Sequence, residues 1–147
     1  VQKAFMGLAV EAMKKAKDQI LEQRKNYQEE LSAEEEDLKK KIKKLEDQRS
    51  KFTKDTLAKK EKKLSQEITE LNQLLKTRNE TLREVEIKVM TQIGEKMEEI
   101  LKDVKEKEKI DLIFADKQVI LYNKEMDISN KVLKRLNTEL PTVKVRF

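Results

Sequence analysis

Leu31, Leu38, Leu45 and Phe52 recur every seven residues through a stretch that is otherwise almost wholly charged, with Ile42 filling one half-turn. A stripe this narrow is the seam of a coiled coil, and a single helix cannot bury it alone. The same phase returns in Leu57, Leu64, Leu71 and Val85, with Ile68, Leu75 and Leu82 between them and Arg78 as an interruption. Beyond Leu82 the apolar steps become 3, 4, 4, 4, 3 and 4 through Val85, Val89, Ile93, Met97, Ile100 and Val104. That drift towards an eleven-residue period relaxes a left-handed supercoil. Composition fits the pattern, because 43% of the residues are charged and the 147-residue chain has two Gly and one Pro. So little apolar material cannot make an ordinary globular core. Such charge would equally suit disorder, and the heptad phase decides for helix.

The chain divides on pattern into a start of body and first helix (1–20), a helical hairpin (21–105) and a C-terminal segment (106–147). Ala9, Ala12, Met13, Ala16, Ile20 and Tyr27 keep helical spacing, and the first helix is expected to run unbroken through Ser32–Glu35. A turn is expected near 50–56. Thr53 can cap the following helix, and Phe52 with Leu57 is placed to form a hydrophobic staple. This puts Leu45 near Leu64. No Gly or Pro assists, so one unbroken rod is the rival; the hairpin is preferred. Gly94 reads either as a bend or close helix contact, or as a tolerated surface glycine.

After Lys109 the pattern becomes β-rich. Ile110-Asp111-Leu112-Ile113-Phe114 and Val119-Ile120-Leu121-Tyr122 read as strands around a turn at Ala115–Lys117. Asp127 reads as the N-cap of a short helix burying Ile128, Val132, Leu133 and Leu136. Pro141 ends that helix, and Thr142–Phe147 alternate like a lone strand. Two strands are rarely stable alone, so these need an upstream strand or a neighbouring subunit. Ile110, Leu112, Phe114, Val119, Leu121, Val132 and Leu136 are the expected body and oligomer residues.

Three stretches together resemble the Skp/OmpH family: Val1–Ala4 running into helix, the charged hairpin, and the C-terminal order of two strands, Asp127-Ile128-Ser129 and Val132–Asn137. The last 30 or so residues are the most specific part. The resemblance implies a mainly α fold, with a coiled-coil hairpin tentacle on a small α+β body that trimerises through its strands. It implies an ATP-independent holdase chaperone, working in the periplasm, that keeps unfolded outer-membrane proteins soluble in a cavity between tentacles. The chain begins at Val1, and a signal peptide is expected to have been removed or omitted. The tail from Pro141 to Phe147 extends beyond the shortest members.

No catalytic constellation stands out, and no enzyme activity or cofactor is expected. There is no Cys, His or Gly-rich phosphate loop, and Glu34–Asp37 point in different directions on a helix, a poor cage for a cation. Charge segregation is more informative. From Leu38 to Lys63 twelve basic residues (Lys39, Lys40, Lys41, Lys43, Lys44, Arg49, Lys51, Lys54, Lys59, Lys60, Lys62 and Lys63) face four acids (Glu46, Asp47, Asp55 and Glu61). The block is therefore +8 in a chain of net +5, leaving −3 elsewhere. Such a basic tip steers anionic lipid, lipopolysaccharide or acidic clients, or else only keeps a coiled coil in solution. Non-specific nucleic-acid binding is the rival function, but only Phe52 could stack among these lysines and no recognition motif accompanies them. A tethering coiled coil explains the helices and leaves the C-terminal body without purpose. Met6, Met13, Met90 and Met97 are the expected adaptable apolar surface near the body.

Overall fold

The computed structural model describes residues 10–147. Three helices dominate: α1 (Glu11–Asp47), α2 (Lys54–Lys107) and α3 (Ser129–Glu139). The expectations for Val1–Ala4, Met6 and Ala9 lie outside the described residues. Contacts divide the chain into two units. One is a hairpin, Leu21–Arg83; the other, the body, joins Glu84–Phe147 to the start of the chain as far as Ile20.

In the hairpin, α1 passes through Ser32–Glu35 without a break. The reversal starts earlier than expected, with a 3-10 turn at Arg49–Lys51 followed by Phe52 in extended backbone. Thr53 then caps α2, its Oγ1 accepting the Thr56 N–H at 3.3 Å. The helices run antiparallel. Leu45 and Leu64 line one groove, Leu38 and Leu71 line another, and Arg78 reaches back to Tyr27 and Glu30.

Between Leu64 and Leu74 the second helix uses a different half of its heptad from the one expected, while Leu82 is buried as expected. Glu67 and Leu74 join Leu64 and Leu71 along the seam grooves, whereas Ile68 and Leu75 are about 40% exposed. Steps of three then four and of four then three satisfy the same seven-residue repeat. The side on which α1 lies chooses between them, and the Lys41–Glu67 pair at 2.9 Å marks that side. Arg78 is not a gap in the seam. Its guanidinium lies 4.7 Å from the centre of the Tyr27 ring and pairs with Glu30 at 2.5 Å. The aliphatic stem of an arginine can fill a seam position while its head finds polar partners.

The body packs the first turns of α1, the C-terminal half of α2 and α3. Ala12, Ala16, Val89, Met97, Ile100, Val104, Val132 and Leu136 are all buried. Each fully buried Val or Leu contributes about 1.5–3 kcal/mol. Gly94 is buried too, within an unbroken α2, so it is neither a bend nor a surface residue. Charges fix the direction of α3 against α2: Lys96 pairs with Glu139 at 2.9 Å, Asp103 with Arg135, and Glu108 with Lys131. As numbers rise on one helix they fall on the other, so the two are antiparallel. Asn137 of α3 accepts the N–H of Glu11 at 3.0 Å, satisfying one of the orphan donors that open α1. Asp127 works one residue further out than a standard N-cap, its carboxylate accepting the Ser129 N–H at 2.9 Å.

A Schellman motif ends α2. Ile110 N–H reaches the Lys105 carbonyl and Lys109 N–H the Glu106 carbonyl, with Lys109 at φ 53°. A residue with a Cβ is strained there, and because a lysine holds the position that usually takes glycine, no glycine marked the helix end in the sequence.

The expected strands are corrected. Ile110–Phe114, Val119–Tyr122 and Thr142–Phe147 form no strand among the described residues. Their region makes local turns instead, such as Gln118 N–H to the Ala115 carbonyl at 2.8 Å. β-branched sequence suits a ladder but cannot make one without a second strand. Among the described residues the body of the single chain is therefore helical. In the tail, the side chain of Gln92 takes the place of a ladder partner: it accepts the Lys144 N–H at 3.3 Å and donates to the Lys144 carbonyl at 3.2 Å.

Candidate functional site

The basic tip assembles because the turn brings the end of α1 and the start of α2 together. All twelve basic side chains of the block are exposed. Four have partners. Lys41 bridges Asp37 at 2.8 Å and Glu67 at 2.9 Å, and these hydrogen bonds raise its pKa above the ordinary lysine value. Lys40 pairs loosely with Glu36, Arg49 with Glu61 at 3.5 Å, and the Lys60 ammonium lies 4.9 Å from the centre of the Phe52 ring. Glu36, Asp37 and Glu67 lie outside the +8 block, and the sequence count missed them as local counterweights. Lys39, Lys43, Lys44, Lys51, Lys54, Lys59, Lys62 and Lys63 form no ion pair with any described residue. Phe52, the one aromatic residue of the tip, is half-buried with the Lys60 ammonium over its ring.

The second candidate surface is the segment after α2. Leu112, Phe114 and Leu121 are 71%, 61% and 89% exposed, and Ile120 almost completely so. Ile110 and Val119 are half-buried. Val132 and Leu136 instead belong to the interior of the body, so the seven residues grouped from the sequence separate into core and surface. The methionines separate as well: Met97 is buried in the core, Met13 half-buried, and Met90 partly exposed.

Hydrogen bonds between charged groups pin the α2–α3 contact. They raise the pKa of Lys96, through Glu99 and then Glu139, and of Arg135, through Glu139 and then Asp103. The acids respond in the opposite sense. Asp103 is lowered by Lys107 and Arg135, and Glu139 by Lys96 and Arg135. These groups are solvated and hold a docked helix in register. Among the described residues no cluster of acids is arranged to hold a metal ion, and no helix is long and apolar enough to cross a membrane.

The sequence matches the family model for outer membrane protein (OmpH-like) over residues 2–136. No curated protein matches it. Among solved structures, the fold is similar to a candidate outer membrane chaperone (OmpH-like) from Caulobacter crescentus, determined at 2.83 Å. The TM-score is 0.84 at 18% identity, over 95% of this chain and 84% of that one. With the match running through both the hairpin and the body, this chain belongs to the OmpH-like outer membrane protein family.

Proposed function

We propose that this protein is an ATP-independent holdase chaperone of the periplasm that keeps unfolded outer-membrane proteins from aggregating. The observation that carries this reading is the family match across both units, on a hairpin that leaves apolar side chains outside its own seam. Ile68 and Leu75 stand seven residues apart on one face of α2, exposed among charges. Their spacing gives a client weak, repeated apolar contacts in place of a fitted pocket, which suits a partner with no fixed structure. The exposed apolar segment around Leu112, Phe114, Ile120 and Leu121 supports association of the body with further copies. In this reading it completes strands across a homotrimer and leaves a cavity between three hairpins. The unpaired lysines of the tip add long-range attraction for acidic clients, anionic lipid or lipopolysaccharide.

Dilution of a urea-unfolded outer-membrane β-barrel protein into buffer tests the proposal. Without nucleotide, the chaperone should suppress light scattering at a fixed ratio of trimer to client, and mass in solution should be near three times 17.4 kDa. Unchanged scattering would sink the holdase reading. Reversal of Lys59, Lys60, Lys62 and Lys63 to Glu should slow capture about tenfold at low salt and converge with wild type at high salt. An unchanged low-salt rate would leave the tip without a steering role.

A further inference from the structure

The tail beyond α3 is held more lightly than α3: its Pro141 carbonyl accepts from the Lys15 ammonium at 3.3 Å, and Lys144 meets α2. α3 is fixed by two fully buried side chains, two ion pairs to α2 and a third to Glu108 just beyond it. Lys144 is fixed by one amide. Gln92 accepts its N–H and donates to its carbonyl, as the backbone of a neighbouring strand would. Val143 and Val145 are half-buried on either side of it, while Thr142, Lys144 and Arg146 are exposed. A groove of about 460 Å³ remains between Val85, Lys88, Thr91 and Gln92 on α2 and Lys144 and Arg146 on the tail. The tail is thus laid on α2 without being packed into it.

Both hydrogen bonds go to main-chain groups that every residue but proline carries. What is recognised is main chain with an apolar side chain at alternate positions, and no particular side chain is read. We infer that the Gln92 face of α2 is a docking site for extended segments of unfolded polypeptide, and that the tail occupies it in cis until such a segment displaces it. This rests on the holdase reading and adds to it a place of contact and a competitor. The partner it fits has alternating apolar residues and free backbone amides. An unfolded β-strand segment has both.

Binding of a fluorescein-labelled peptide, Thr-Val-Lys-Val-Arg-Phe, by fluorescence anisotropy tests the inference on the full chain. Val143→Ser with Val145→Ser weakens the cis tail without changing charge, and circular dichroism should show helix content unchanged. This variant should bind the peptide about fivefold more tightly than wild type, the effect expected from losing the apolar contact of two half-buried valines in the competing tail. Adding Gln92→Leu should abolish the gain, and so should N-methylation of the peptide lysine, which removes the donor that Gln92 accepts. Equal affinity in wild type and the tail variant, or a gain that survives Gln92→Leu, would overturn the inference. Suppression of client aggregation, measured on the same proteins, decides the holdase reading separately. Suppression by wild type with no peptide effect removes only the Gln92 site, and absence of suppression in every variant removes the chaperone role.

Discussion

The hairpin and the body are built from the same helices and by different means. Of the thirteen described apolar residues that are buried, only Leu82 lies within Leu21–Arg83; the other twelve belong to the body. Two helices facing each other can cover one stripe, and the seam leucines of the hairpin other than Leu82 stay half-buried. Where a third helix is added, as α3 is in the body, side chains between the helices lose water on every side. A long helix can therefore be strongly held over one part of its length and lightly held over another.

The largest expected effect breaks the comparison at its strongest point. Leu136→Ala should cost about 3 kcal/mol, because the site is fully enclosed and cannot collapse around the smaller side chain. Leu64→Ala in the half-buried seam should cost about 1 kcal/mol. Urea denaturation of the two variants measures both, and equal losses would mean the units are stabilised alike. Arg78→Ala comes next, at about 1–2 kcal/mol, since it removes the stack on Tyr27 and leaves a hole in the seam. Arg78→Leu should restore most of this in the same titration. If the leucine variant is no better than alanine, the polar partners matter more than the packing.

A smaller change should strengthen the body. Lys109→Gly relieves the left-handed backbone that closes α2, and a gain of about 1 kcal/mol in thermal or urea stability is expected. A loss would show that the lysine side chain contributes something that its backbone strain conceals.

Acid gives the smallest effect, because the groups concerned are solvated and screened. Asp103 and Glu139 titrate below their ordinary values in the folded protein. A carboxylate of lowered pKa adds stability above its unfolded pKa, and that stability is lost as pH falls through the folded one. The α3 contact should therefore loosen as pH falls below about 4.5, the ordinary glutamate value. Methyl NMR signals of Val132 and Leu136 should shift over that range. Signals that hold still down to pH 3 would show that the ion pairs do not contribute to docking.

Sequence and structure divide the result along a physical line. The helices, the continuity of α1, the capping of α2 by Thr53 and the burial of Val132 and Leu136 were legible, because local periodicity and capping chemistry specify them. The change of period after Leu82 was legible too, and it coincides with the passage from one partner helix to two. The seam residues of α2 were half legible: a heptad admits Ile68 and Leu75 or Glu67 and Leu74, and only the position of α1 selects the second pair. Asn137 stood in a family motif without a reason, until the fold brought it to the first N–H of α1, far away in sequence. The strands show the converse. Alternating apolar residues determine that Ile110–Phe114 and Val119–Tyr122 are fit for a ladder, but a ladder is a relation between two backbones. The described residues supply no second backbone to either stretch, and only in the tail, at Lys144, does a glutamine side chain take that place.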